Sequence, residues 1–316
     1  MALGAGGPAA FATLFLVPPP PCRGSRRLGP RGPGTGRSAF AFQLARTGGH
    51  DVTVIARPES VRLAELERDQ AIIDINGKRA SVRVASRLDE EAAYDLLIVT
   101  LLDHQTRPLM PVLGRSAARS VMFMFNTFEP ERLQASIGPE RCGFGMPFVQ
   151  ATLNADGRLK VAIGTAGQKT LMNQQRWVDV FNAAGLPAAN EPNMPLWLRC
   201  HAPLCVAFES VSVAGERRRG AASWGEALAR ARGVHASFAL IKRLGYEIYP
   251  QAKQRLDRNP VWVVALMLWF MSGIRSFREL LASGAAECGA LVDAMVSAAP
   301  PGTPPNIVSD IAAMKP

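Results

Sequence analysis

The chain has 316 residues, 48% of them apolar and 20% charged, and a formal charge of +10 from 36 Lys and Arg against 26 Asp and Glu. This is the composition of a soluble globular protein with room for two domains and a large core. Five cysteines (Cys22, Cys142, Cys200, Cys205, Cys288) include no Cys-x-x-Cys pair and have few histidines nearby. They argue against a zinc site and a disulfide framework, and favour reduced thiols in the cytoplasm.

The positive charge suggests nucleic acid or an anionic surface, but its distribution points elsewhere. Arg23, Arg26, Arg27, Arg31 and Arg37 lie in the first 37 residues with no acid among them, so half the excess belongs to an irregular arm. No nucleic-acid motif or aromatic-basic interleaving follows, and no nucleic-acid partner is expected. The longest apolar run, Val261 to Met271, has 11 residues and is too short to cross a membrane, so it reads as a buried helix with Trp262, Trp269 and Phe270 in the core. Ala9 to Val17 resembles a signal h-region, but no basic residue precedes it and Pro18 to Pro21 follow at once, which argues against secretion.

Residues 1–31 read as an irregular basic, proline-rich arm. Phe11 to Val17 could instead serve as a first strand with a long proline loop behind it, and a corrupted start to the reading frame is a third possibility. From Gly32 the order is glycine loop (Gly32, Gly34, Gly36), helix (Ser38 to Thr47), then a β-branched strand (Val52, Val54, Ile55) closed by Arg57 and Pro58. That is half of a dinucleotide fold, in which a helix N-terminus stabilises a pyrophosphate and the tip of the second strand reads the adenosine ribose. Gly32 and Gly34 fit the first two fingerprint positions, but Arg37 occupies the third and Gly36 stands one place early.

Arg57 occupies the tip where an NAD-binding fold carries Asp or Glu. A guanidinium attracts a 2′-phosphate through forked, charge-assisted hydrogen bonds, so the cofactor expected is NADPH rather than NADH. The other reading of Arg57 is an ordinary solvated arginine after a strand.

Further along, the patterns predict a helix at Val61 to Arg68, strands at Ala71 to Ile75 and Ala80 to Ala85 around an Asn76-Gly77 turn, and a buried strand at Tyr94 to Thr100. A helix at Asp103 to Leu113 and a strand at Ser120 to Phe125 come next. Cys142 to Leu153 and Leu159 to Gly164 read as an antiparallel hairpin, and Leu171 to Ala184 as a helix. Such alternation implies a doubly wound α/β sheet covered on both faces. From Leu196 on only helical patterns appear: Leu196 to Val213, Ala222 to Leu244, Tyr249 to Leu256, Val261 to Leu281 and Glu287 to Ala298. The expected organisation is an arm (1–31), a Rossmann-like NADP-binding domain (32–190) and an all-α domain for substrate and dimerisation (191–316).

Several short strings resemble the ketopantoate reductase family. Gly49 to Arg57 looks like that family's passage into its second strand, Leu96 to Leu101 like its fourth, and Gln105 like the glutamine just beyond. Phe125-Asn126-Thr127 sits where the family has an asparagine-glycine pair that contacts cofactor and substrate. Leu196-Trp197-Leu198-Arg199 falls on the Trp-x-Lys motif, Glu287 on the C-terminal glutamate, and Ser276 near the substrate-binding serine. The resemblance implies an NADPH-dependent reductase acting in a cleft between a Rossmann domain and a helical domain. Where the family lysine protonates the ketone oxygen this chain has Arg199, a poor general acid, with Pro203 in place of asparagine and Leu102 in place of a cofactor-side lysine. These departures point away from ketopantoate itself.

The residues therefore suggest reduction of a 2-oxo acid or similar small carbonyl compound. Gly32, Gly34, Gly36, Arg57, Gln105 and Asn126 would bind cofactor. Arg199, Glu287 and Asn126 would serve catalysis and Ser276 would bind substrate, with the proton drawn from water, Ser276 or a protonated Glu287. No metal site or membrane partner is expected, and a homodimer is allowed. The alternative is a catalytically inactive NADP-binding sensor or scaffold of the same fold. His201 and His235 read as structural, and Arg217 to Arg219 as a solvated loop.

Overall fold

The computed structural model describes residues 10–15, 36–164 and 167–316. They form two compact units, one running to Phe125 and resuming over Arg132–Met194, the other made of Asn126–Glu131 with Pro195–Pro316. The boundary expected near residue 190 falls at Met194, and the short segment after Phe125 clusters with the helices rather than with the sheet that precedes it.

The first unit alternates strands and helices: β1 (Ala10–Phe15), α1 (Gly36–Arg46), β2 (Asp51–Ala56), α2 (Val61–Asp69), β3 (Ala71–Ile73), β4 (Arg79–Ser81), β5 (Arg83–Ala85) and β6 (Leu96–Val99). Then come α3 (Asp103–Thr106), α4 (Met110–Arg115), β7 (Val121–Met124), α5 (Pro130–Ile137), β8 (Cys142–Met146), β9 (Val149–Leu153), β10 (Leu159–Ile163), β11 (Thr170–Met172), α6 (Gln175–Ala183) and β12 (Ala188–Asn190). The main sheet runs β12-β11-β8-β7-β6-β1-β2-β5. Its six strands from β5 to β8 are mutually parallel and have the doubly wound order of a dinucleotide-binding fold. Antiparallel β11 and then β12 extend it beyond β8.

At the centre lies β1, with Phe11 opposite Val52 of β2 and Leu96 of β6. Ala10–Phe15 therefore belongs to the sheet, as the first-strand reading has it, and not to an irregular arm; the rest of residues 1–31, with the basic coil, lies outside the described residues. Val52 to Ala56, Leu96 to Val99 and Val121 to Met124 are buried at every position, as strands covered on both faces must be. Phe40 of α1 packs on Phe181 of α6, ring centroids 5.4 Å apart, within a core that includes Leu44, Val54, Ile98 and Met122.

Some expected elements divide differently. Ala80 to Ala85 is split at buried Val82, so that β4 pairs with β3 while β5 joins the main sheet. Of the hairpin expected from Cys142 to Gly164, only β9 and β10 pair with each other, whereas β8 runs parallel to β7. Leu171 lies in β11 rather than opening a helix. That strand is held to β8, and next to it the Asn173 side-chain carbonyl accepts the Phe144 N–H at 2.9 Å.

The second unit contains α7 (Met194–Arg218), α8 (Trp224–Arg243), α9 (Gln251–Arg258), α10 (Val261–Gly273), α11 (Arg275–Leu281), α12 (Ala285–Ser297) and α13 (Pro305–Ala312). Its core is built from Val206, Val211, Phe238, Leu268, Leu291 and Met295, together with Phe128 from the Asn126–Glu131 segment. Ser223 opens α8 with a capping box. Its hydroxyl accepts the Glu226 N–H, and the Glu226 carboxylate accepts the Ser223 N–H at 2.7 Å. The run at Val261 to Leu281 breaks at Ile274, where α10 and α11 meet at 94°.

Trp262, Trp269 and Phe270 are 58%, 40% and 64% exposed, against the expectation that they fill the core; α10 buries Val264, Ala265 and Leu268 instead. Arg217 and Arg218 close α7 rather than lying in a loop, and Arg218 pairs with Glu226 at 2.8 Å. No single helix among the described residues is long and apolar enough to cross a membrane.

Candidate functional site

In the first unit the described cofactor-binding candidates are Gly36, Arg57 and Gln105. Arg57 follows β2 directly, on the strand adjacent to β1. Its carbonyl accepts the Ser60 hydroxyl at 2.7 Å and the Ser60 N–H at 3.2 Å, and Ser60 Oγ in turn accepts the Leu63 N–H to cap α2. The helix cap thus fixes the Arg57 backbone, while its guanidinium makes no hydrogen bond or ion pair among the described residues. Gly36 is the first residue of α1; Gly32 and Gly34 lie outside the described residues. A helix N-terminus and a cation at the tip of the second strand suit the pyrophosphate and adenosine end of a dinucleotide. Gln105 stands in α3 just after β6, where its side-chain carbonyl accepts the Leu102 N–H at 3.2 Å, and Leu102 is buried.

In the second unit a polar cluster forms around Asn126. This residue lies two positions past the end of β7, at the carboxyl end of a parallel strand as expected, and is 7% exposed. Its amide donates to Glu287 Oε1 at 3.1 Å, and its carbonyl accepts the Cys205 thiol at 3.4 Å. Glu287 sits in the first turn of α12. One residue on, the Cys288 thiol donates to Glu209 Oε2 at 2.9 Å.

Cys205 and Glu209 stand four residues apart on α7, in line with His201 and Trp197, so that one stripe of that helix carries all four. Trp197 and His201 stack at 4.2 Å, and Lys253 of α9 lies over the indole at 4.0 Å while its ammonium donates to the Trp197 carbonyl at 2.9 Å.

Burial and the neighbouring Glu287 charge push the Glu209 carboxyl up to about 8. Burial also pushes the Cys205 and Cys288 thiols up, so both remain donors. Burial, with the charge of Lys253, lowers the His201 imidazole to about 3 and keeps it neutral. Cys205, Glu209 and Glu287 are nevertheless only half-buried, so solvent reaches the cluster.

Asn126 and Glu287, far apart in sequence, are thus hydrogen-bonded to each other. Arg199 does not join them. It is 5% exposed, its Nε donates to the Phe128 carbonyl at 3.1 Å, and both terminal nitrogens are taken by the Glu131 carboxylate, one at 2.7 Å. The guanidinium lies 3.9 Å from the Tyr246 ring. Desolvation works against the Glu131 charge, yet the hydrogen bonds from Arg199 hold that carboxyl below its usual range. The catalytic role expected of Arg199 does not fit this geometry, because its donors are spent on the Phe128 to Glu131 segment.

Ser276 is exposed on α11 and makes no side-chain hydrogen bond among the described residues. Cys205, Glu209 and Cys288 were missed by the sequence reading. The four-residue spacing of Trp197, His201, Cys205 and Glu209 was the available signal.

No curated protein sequence matches the chain. The family model of ketopantoate reductase PanE/ApbA matches residues 32–172. Among solved structures, the PanE/ApbA family ketopantoate reductase from Ralstonia eutropha JMP134 superposes with a TM-score of 0.66 at 16% identity, over 96% of this chain and 97% of that one. D-mandelate dehydrogenase in complex with NADH gives 0.60 at 13% identity, over 97% of each chain. The 2-dehydropantoate 2-reductase from Methylococcus capsulatus gives 0.56 at 15% identity, over 96% of each chain. The ketopantoate reductase model thus covers residues 32–172, and the solved structures share a Rossmann-like unit followed by a helical unit along nearly the whole chain.

Proposed function

We propose that the protein is an NADPH-dependent reductase of a small 2-oxo acid or related carbonyl compound, working in the cytoplasm. The observation that carries this reading is Arg57, whose guanidinium is uncommitted among the described residues at the tip of the second strand of a doubly wound sheet. A 2′-phosphate would give it two charge-assisted hydrogen bonds that a free 2′-hydroxyl cannot. The N-terminus of α1 would face the pyrophosphate. A bound reduced nicotinamide supplies a hydride to the carbonyl carbon.

The protein's own residues have the remaining tasks. Asn126 and Glu287 would orient the polar groups of the substrate, and the protonated thiol of Cys205 fixes the Asn126 amide so that its NH2 faces Glu287. Support for an oxo-acid substrate comes from the structurally similar D-mandelate dehydrogenase, solved with NADH and anilino(oxo)acetate.

The test is NADPH- and NADH-supported reduction of a panel of 2-oxo acids by the wild-type protein and by Arg57→Ala. The wild type should oxidise NADPH with at least one compound. The variant should lose about 1.5–3 kcal/mol of NADPH affinity with little change for NADH. Equal losses for both cofactors would remove the role given to Arg57. Binding of NADPH with no oxidation by any compound would favour an inactive scaffold.

A further inference from the structure

Reducing a carbonyl requires a proton at oxygen as hydride reaches carbon, and the group that delivers it must be protonated at working pH and free to let go. Arg199 meets neither need, since arginine does not release its proton and its donors are engaged by Glu131 and the Phe128 carbonyl. Lys253 donates to the Trp197 carbonyl and is pinned against the indole. Nothing charges the His201 imidazole at neutral pH. The thiols of Cys205 and Cys288 are committed as donors to Asn126 and Glu209.

Two carboxyl groups remain, and the cluster treats them differently. Glu287 accepts the Asn126 amide, which favours its carboxylate. Glu209 accepts the Cys288 thiol on Oε2, which leaves Oε1 to carry a proton. Its carboxyl also occupies the space that Gly284 leaves open, where a Cβ would overlap it. Two carboxyls whose surroundings drive them apart are a recurrent basis for dividing acid and base roles.

We infer that Glu209 is the proton donor of the reductase reaction, a role that rests on the reductase reading above. As the carbonyl carbon gains the hydride and its C–H bond, the C=O π pair moves to oxygen, and the Oε1–H bond of Glu209 breaks as a new O–H bond forms. The carbonyl compound is reduced by two electrons at the expense of the reduced nicotinamide. Glu209 is left as a carboxylate and regains its proton from water, which reaches the half-buried cluster. The titratable groups facing Glu209 are Cys205 on its own helix and Glu287 and Cys288 on α12. The Glu287 charge, added to burial, keeps the proton on Glu209 up to about pH 8.

The experiment compares wild type, Glu209→Gln and Gly284→Ala by kcat against pH at saturating NADPH, and by infrared titration of the neutral-carboxyl C=O band without cofactor. In wild type, kcat for reduction should fall about tenfold per pH unit above about 8, and a carboxyl band should titrate at the same pH. Glu209→Gln should lose the band and the pH limb, with kcat lowered about 10²–10⁴-fold and NADPH affinity unchanged. Gly284→Ala, which crowds the carboxyl without replacing it, should move the band midpoint and the kcat limb together.

A band titrating only in the ordinary carboxyl range, a pH limb that survives in Glu209→Gln, or one abolished by Lys253→Met instead, would overturn the inference and leave the reductase reading standing. Failure of the wild type to reduce any compound would overturn both.

Discussion

At the residue scale, α7 shows why the identity of a side chain is a weaker guide than the face it occupies. Arg199 stands in the Trp-x-Lys string, but His201, Cys205 and Glu209 follow one another at four-residue spacing on a different face, and it is their stripe that meets Asn126, Lys253 and α12. Arg199 instead secures the segment after β7 by gripping the Phe128 carbonyl and Glu131 under Tyr246. Replacing it with Met should lower stability by about 1–3 kcal/mol, the cost of unpairing a charge-assisted network whose Glu131 end keeps access to water. The high-pH limb of kcat should persist. Urea denaturation and a pH profile check this. An unchanged midpoint with kcat abolished would return Arg199 to the chemistry.

At the element scale, stability depends on close approaches that the hydrophobic pattern does not reveal. On α8, Gly233 faces α13, where a Cβ would overlap the Met314 side chain and lie 2.8 Å from the Asp310 carbonyl. Gly233→Ala should therefore cost about 1–3 kcal/mol by overpacking, despite alanine's better helix propensity. Chemical denaturation measures it, and a gain in stability would contradict the packing described here.

The elements most legible in the sequence were those with one environment along their length. Leu96 to Val99 and Val121 to Met124 read as unbroken apolar runs and Val52 to Ile55 as a β-branched one, and all three are buried on both faces. Ambiguity arose where a short strand abuts another element. Val82 separates two sheets without a turn signal, and Thr170–Met172 is too short to display a period of two. On α10 an apolar composition on all sides concealed which face turns inward, so Trp262 and Phe270 were assigned to the core although they are exposed. Asn126 and Glu287 were singled out in the sequence by strings that resemble the family's, and the structure joins them by a hydrogen bond. Glu209 was not singled out, because its significance lies in Cys288, Glu287 and Gly284, which only folding brings to it.

At the scale of the whole molecule, the doubtful part of the sequence was its start, and there the sheet itself decides. A doubly wound sheet without a first strand would have a gap between β2 and β6, and Ala10–Phe15 fills that gap in register with both. The order from β5 to β8 then creates the strand reversal beside which such folds bind dinucleotides, with Arg57 next to it. The most direct test of the account is a calorimetric titration of the full chain with NADPH and, separately, NADH. It predicts saturable binding of one NADPH per chain, tighter than NADH by about 1.5–3 kcal/mol through Arg57. Absence of NADPH binding, or tighter binding of NADH, would contradict it.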